Sequence, residues 1–399
     1  MNRRLLRAAV ALAAAASLAL GMSVAPVRGA ERVARLGLDL PLSGIDGASS
    51  IPARNAVQLA IDAANRRGFP GGVRVALEDL DDAVGGKHDP AQGAQNVRSF
   101  VADPDVFAIV GPMNSNVAKA EIPIVDAAGL AEISFAATAV ELTRGPQATR
   151  GAFFRVCASD DRQGVAAARF ARRLGARRAF VIDDNESYGK GLADVFARAF
   201  PAAGGAIVGH EHLVPFTLDF QPLLTKIRAD GPDAIFFGGI VSTGGAVLRK
   251  QMGDVGLAKV PYFGGDGLAS PEYVPLAGAA ADGTYFTLIA PDVFRLPEAR
   301  GFLAAYRARF RSDPGNYSAG AFAAASVALD ALRRGLGAHP GRLPGRGEVL
   351  RGVAATAALV TPIGPVTFDG RGDLRRPVVS LYRVERGRTE FVEEAGVRP

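Results

Sequence analysis

From residue 32 onward, short apolar runs alternate with longer segments in which apolar residues recur at helical spacing. "RVARLGLDL", "VRVALEDLD", "VFAIVG" and "LAEIS" read as strands. Between them, "IPARNAVQLAIDAANRRG", "DPAQGAQNVRSFVAD" and "SNVAKAEIPIVDAAG" read as amphipathic helices; Gly68 closes the first and Asp89-Pro90 opens the second. The rhythm restarts after about residue 153. There "DRQGVAAARFARRLG", "YGKGLADVFARAFPAAGG", "DFQPLLTKIRADG" and "STGGAVLRKQMGDVG" alternate with the strands "RRAFVIDD", "AIVGHEHL", "DAIFFGG" and "PYFGGDG". Continuous apolar strands separated by helices predict parallel sheets covered on both faces, so the chain reads as α/β with two doubly wound domains in tandem. The tail breaks the rhythm with two successive helices, "PEARGFLAAYRARF" and "YSAGAFAAASVALDALRRG", and the Pro/Gly-rich surface loop "GAHPGRLPGRGE". "IGPVTFDGRGDLRRPVVSLYRV" then predicts strand, turn and strand.

The N-terminus does not fit this pattern. Arg3, Arg4 and Arg7 precede an Ala/Leu-rich stretch to about Leu20, and small residues lead to a cut after Gly29. This is the layout of a cleaved secretory signal over residues 1–29; a membrane anchor is the other reading of such a segment, but the apolar run is short and alanine-rich. No cysteine lies near the cut to carry a lipid, and no later stretch is apolar enough to span a bilayer, so a soluble exported product is expected.

Export also changes the charge. The formal +6 loses Arg3, Arg4, Arg7 and Arg28, leaving 42 basic against 40 acidic residues. The arginines are scattered on amphipathic segments such as "ARFARRLGARR", with no basic stripe interleaved with aromatics, which argues against nucleic acid as a partner. Cys157 is the only cysteine, so no internal disulfide forms; in "AFFRVCA" it reads as a small buried residue.

Enzyme signatures are missing. There is no GxxxxGK[ST] loop and no GxSxG elbow, and "YGKGLAD" lacks the third glycine of a dinucleotide fingerprint, so no cofactor is expected. "HEH" puts His210 and His212 on one strand face, which begins a metal site, yet the sequence offers no evident third ligand and a polar strand face is the simpler reading. "EDLDDAVGGKHD" lacks calcium-loop spacing and reads as a solvated turn.

What remains is small polar chemistry at strand ends, where ligands bind in doubly wound sheets. "VGPMNSNVA" places Ser115 at a helix start, where free N–H groups favour an anion, although Ser115 or Asn114 can equally cap the helix. "SFAATAVELT" follows the next strand, and "GGDGLAS" puts Asp266 between glycines, where a carboxylate can reach into a cleft.

Together these stretches resemble the leucine/isoleucine/valine-binding family, the periplasmic substrate-binding proteins of branched-chain amino-acid ABC importers. The matching pieces, "PLSG", "VGPMNS", "SFAATAVELT", "ESYGKG", "FGG", "GGDG" and "FDGRGDL", run in the family's order from about residue 33 to 385. The resemblance implies two α/β lobes joined by a three-crossing hinge, with crossings near residues 156–160, 288–291 and 376–380. It divides the chain into an N-terminal lobe of residues 30–159 and 290–378 and a C-terminal lobe of residues 160–289 and 379–399.

Carried over position by position, the resemblance implies that Ser115 and Thr138, with backbone groups at Ala136 and Ala137, meet a ligand carboxylate. Thr138, the Ala136 carbonyl and Asp266 meet an ammonium, and Tyr188 closes from the opposite lobe. Both charges of a zwitterion leaving water must be met, because an unpaired buried charge is very costly. The departures lie where the ligand side chain goes. Ser49 stands at a position often aromatic in the family, Ile240 and Val241 fall near another, Asp266 replaces a common glutamate, and Phe135 a common proline. The expected function is therefore a periplasmic, non-enzymatic receptor that traps a small α-amino acid between two lobes and hands it to a membrane permease. An aromatic or aliphatic carboxylic acid or amide is the alternative ligand. An enzyme is not expected without a clustered nucleophile, base or metal set, nor a sensory ectodomain without a second membrane segment.

Overall fold

Val106–Val110, "VFAIV", has all five residues buried, as a strand covered on both faces requires. The computed structural model describes residues 32–214, 217–339 and 341–395; the expected signal segment, residues 1–29, lies outside the described residues. The strands are β1 (Val33–Leu40), β2 (Arg74–Asp81), a small hairpin of β3 (Ala83–Val84) and β4 (Lys87–His88), β5 (Val106–Val110), β6 (Ala131–Ser134) and β7 (Phe153–Arg155). They continue with β8 (Arg178–Asp183), β9 (Ala206–His212), β10 (Ala234–Gly238), β11 (Tyr262–Gly264) and β12 (Thr284–Leu288). The last are β13 (Leu359–Thr361), β14 (Gly364–Val366), β15 (Val379–Glu385) and β16 (Arg388–Ala395).

Two principal sheets form, one per lobe. The first has the order β2-β1-β5-β6-β7 with every pairing parallel. The second has the order β16-β15-β12-β11-β10-β8-β9, parallel from β12 to β9 and antiparallel where β15 and β16 are added. The Ala-rich helix Ser318–Ala338 returns to the first lobe and packs on the helix Gly47–Arg67, where small residues let the two backbones approach. Its apolar face joins β1, β5 and β6 in one core. The chain thus passes between the sheets three times, after β7, after β12 and before β15.

Several strands, β7, β12, β13 and β16 among them, escape the apolar pattern. β7 is only three residues at a sheet edge, and β12 lies directly before an expected hinge crossing. β16 reads "RTEFVEEA", an edge strand whose charges blunt further pairing. The acidic stretch after β2 also departs from expectation. It is no solvated turn but the β3–β4 hairpin, with Asp82 and His88 buried.

The first lobe buries several carboxyl groups together. Asp39 at the end of β1, Glu121 on the helix Ser115–Ala128 and Glu132 on β6 are all fully buried. Asn96 Nδ2 donates to Asp39 Oδ1 at 2.6 Å. Gly93 makes room for them, since a Cβ there would stand 2.7 Å from Glu121 Oε1 and 2.4 Å from Val117 Cγ1. Burial pushes Asp39 up to about 6 and Glu132 up to about 8, and burial with the charges of Asp39 and Glu132 holds Glu121 well above the carboxylate range. A raised carboxyl pKa stabilises the fold below its unfolded value, and that contribution is lost as pH rises through the folded value. For Glu132 the window runs from the ordinary 4.5 to about 8. The urea midpoint should therefore fall across this window, and Glu132→Gln should flatten the slope; an unchanged slope in the variant would remove Glu132 from the account.

Candidate ligand-binding site

The cavity lies between the lobes at the carboxyl ends of the strands, with about 520 Å³ of empty space including its open mouth. From the first lobe come Asp46, Ser49, Met113, Asn114, Ser115, Ala136 and Tyr317; from the second come Tyr188, Ile240, Val241, Asp266, Gly267 and Ser270. Of the residues expected from the sequence, Ser49, Ser115, Ala136, Tyr188, Val241 and Asp266 are brought together on this wall.

Asp266 follows β11 and is almost fully buried. Gln163 Nε2 and Tyr188 Oη donate to its Oδ1 at 2.8 and 2.9 Å, and Tyr317 Oη donates to its Oδ2 at 2.9 Å. Burial pushes the Asp266 carboxyl up, and the hydrogen bonds from Gln163, Tyr317 and Tyr188 act against that shift. Burial and the Asp266 charge push both tyrosine phenols well above their ordinary range, so they remain donors. The flanking glycines are steric requirements. A Cβ at Gly265 would stand 2.3 Å from Tyr188 Oη, and one at Gly267 would stand 2.5 Å from the Gly239 carbonyl. A carboxylate has about four acceptor positions, so three protein donors leave about one for a ligand.

The opposite side of the cavity has donor character. The helix Ser115–Ala128 begins there; Asn114 does not cap it through its side chain, and of the first-turn N–H groups that of Val117 is taken by Asn116 Oδ1 at 2.9 Å. Ser115 Oγ instead accepts the Ala139 N–H at 3.2 Å, which leaves the serine proton available to an acceptor. The helix dipole adds partial positive charge at the same end.

The loop after β6 is held from behind. Ser134 Oγ accepts the N–H groups of Ala136 and Ala137 at 3.2 and 2.8 Å. Arg155 is fully buried and donates to the Ala137 and Ala139 carbonyls while pairing with Asp373 at 2.6 Å. Ala137 therefore turns both backbone groups to the protein and is not on the cavity wall. Thr138 is fully buried, its carbonyl accepts the Asp160 N–H at 3.0 Å, and it too is not among the lining residues. Cys157 is buried, and burial pushes its thiol well above the ordinary range, consistent with packing and not with nucleophilic chemistry.

Sequence reasoning passed over Tyr317, Gln163 and Asp46. Tyr317 stands immediately before the helix Ser318–Ala338, and only tertiary folding carries it to Asp266. Asp46 shares the buried His88 with the other lobe: His88 Nδ1 lies 3.1 Å from Asp46 Oδ2, and Nε2 lies 2.9 Å from Glu186 Oε2. Burial alone would lower His88, but the hydrogen bonds and charges of Asp46 and Glu186 outweigh it and raise the imidazole to about 10. Its stabilisation is fully present below the ordinary value of 6.5 and is lost as pH rises through about 10. Glu186→Gln should thus lower the melting temperature near neutral pH, with the gap from wild type closing above pH about 10. A gap that does not change with pH would contradict a charged His88.

Residues 34–388 match the family model described as periplasmic binding protein. The chain is 32% identical to the Leu/Ile/Val-binding protein BraC3 of Rhizobium johnstonii (strain DSM 114642 / LMG 32736 / 3841), over 95% of this chain and 98% of that protein. Its structure is similar to that of LivJ, the substrate-binding protein of a branched-chain amino acid transporter from Streptococcus pneumoniae (strain Canada MDR_19A), in complex with isoleucine: TM-score 0.79, 27% identity, 91% of this chain and 100% of that one. The fold alone is shared with a solute-binding protein of an ABC transporter from R. palustris in complex with benzoate, at TM-score 0.76 and 20% identity, covering 91% of this chain and 96% of that one. The chain belongs to the periplasmic binding protein family.

Proposed function

We propose that this protein is a periplasmic receptor for a small aliphatic α-amino acid and delivers it to the permease of an ABC importer. The observation that carries the reading is the buried Asp266 carboxylate, which has an acceptor position to spare on a cavity whose other wall is an uncapped helix start. An ammonium fits the first and a carboxylate the second. Met113, Ile240 and Val241 give the cavity flexible or branched apolar surface and Ser49 a small polar one, which suits a short branched side chain. The family membership and the isoleucine bound to the similar LivJ support the same class. Binding needs no covalent step. A ligand that touches both lobes stabilises the arrangement in which both are within reach.

A second reading has its own observation. The three protein donors already satisfy much of Asp266, so an ammonium-free carboxylic acid would leave it only partly unpaired, and a protein of the same fold holds benzoate. A thermal-shift screen against aliphatic amino acids, simple carboxylic acids and amides separates the two. Ligand at about 100 times Kd stabilises by about 2.7 kcal/mol, enough for a clear rise in melting temperature. Shifts are expected with aliphatic amino acids; shifts confined to ammonium-free acids would replace the proposal with the second reading. Asp266→Asn should weaken amino-acid binding by about 100-fold or more, since it removes the partner of a buried cation. Unchanged affinity would take Asp266 out of recognition.

A further inference from the structure

His210 and His212 sit two residues apart on β9, so the strand period places both imidazoles on one face. The sequence offers no third ligand near them, but parallel pairing with β8 supplies one. In the register, Asp183 lies directly opposite His212 and Val181 opposite His210. Asp183 Oδ2 lies 2.7 Å from His210 Nε2 and 2.7 Å from His212 Nδ1. The three ligand atoms all fall within 4.8 Å of one another, and the two rings stand 4.7 Å apart at 46°.

We propose that Asp183, His210 and His212 form a binding site for a divalent transition ion of the zinc class, separate from the ligand cavity. Two imidazoles and one carboxylate are a donor set suited to Zn²⁺, with a fourth position left to water, and are a poor match for the all-oxygen shells of Ca²⁺ or Mg²⁺. The carboxylate of the set is held in place before any ion arrives. The Asp183 side chain is fully buried, and its Oδ1 accepts the Asn185 N–H at 2.9 Å, which fixes the plane of the carboxylate and directs Oδ2 at the histidines. β9 is the edge strand of its sheet and the His212 side chain is 46% exposed, so an ion can enter from solvent. The neighbouring charges do not compete: Glu211 points to the other face of the strand and pairs with Lys226 at 2.5 Å, and Asp184 Oδ2 accepts from Thr243 Oγ1 at 2.8 Å. In the ion-bound form each ring would carry its proton on the nitrogen away from Asp183, leaving a lone pair for the metal, and the three ligand atoms would spread from hydrogen-bond contact to the spacing of metal ligands.

The test is calorimetric titration of the full chain, free of any histidine tag, with ZnCl₂ in a non-chelating buffer at neutral pH, with CaCl₂ as the control. One saturable Zn²⁺ site and no Ca²⁺ site are expected. His210→Asn with His212→Gln should abolish zinc binding. Asp183→Asn, which keeps the shape and the Asn185 hydrogen bond, should weaken it by about tenfold or more. Circular-dichroism melting checks that each variant folds, and His212→Gln alone, which can still donate to Asp183, serves if the double variant does not. No saturable zinc site in the wild type, or undiminished binding in the histidine variants, overturns the proposal, because the remaining His88 and His339 would then account for any signal.

Discussion

Asp266 is a carboxylate buried at the meeting of two lobes, and much of the local structure exists to make that tolerable. Burying such a charge without partners costs far more than the net stability of a domain can bear, so donors must converge on it. Here they come from both sides: Gln163 and Tyr188 from the second lobe and Tyr317 from the first. The glycines at 265 and 267 follow from the same constraint, since any side chain there would collide with Tyr188 or the Gly239 carbonyl. The Tyr317 bond also ties the lobes together at the cavity, and the His88 bridge between Asp46 and Glu186 ties them a second time.

The opposite wall is built by a different device. A helix begins there with no cap from the Asn114 side chain, so its first backbone donors and its dipole supply partial positive charge without a cationic side chain. Arg155 is a buried cation close to this wall. It is spent behind the wall instead, gripping Asp373 and the carbonyls of Ala137 and Ala139, so that the loop after β6 is a fixed surface and not a flexible one. The two walls thus differ in kind: one presents the buried Asp266 carboxylate and the other a helix start, with the nearby Asp46 carboxylate engaged by His88.

Much of this was legible in the sequence because its signals are local. Buried parallel strands such as "VFAIV" announce themselves, Ser115 stands at a helix start and Asp266 between glycines after a strand, while Tyr188 follows only from the family resemblance. What stayed hidden depends on register or distance. Tyr317 reads as the residue before an alanine-rich helix until folding delivers it to Asp266 across 51 positions. Asp82 and His88 look like a solvated turn because the charged residues around them, Glu78, Asp79, Asp81, Lys87 and Asp89, mask the hairpin that buries them. Asp183 looks like the end of a strand, and only the β8–β9 register sets it against His210 and His212. The alanines of "SFAATAVELT" were the most ambiguous. Their smallness does suit close approach, but for Ala137 the approaching groups are Ser134 and Arg155 of the protein itself.

The central claim, that a zwitterion spans the two walls, is tested most directly by a crystal structure of the protein with a bound aliphatic amino acid. The account predicts the ligand ammonium in hydrogen-bond contact with the Asp266 carboxylate and the ligand carboxylate at the start of the Ser115–Ala128 helix, within reach of the Ser115 hydroxyl. A ligand bound in the reverse orientation, or one that leaves Asp266 facing only Gln163, Tyr188 and Tyr317, would contradict it.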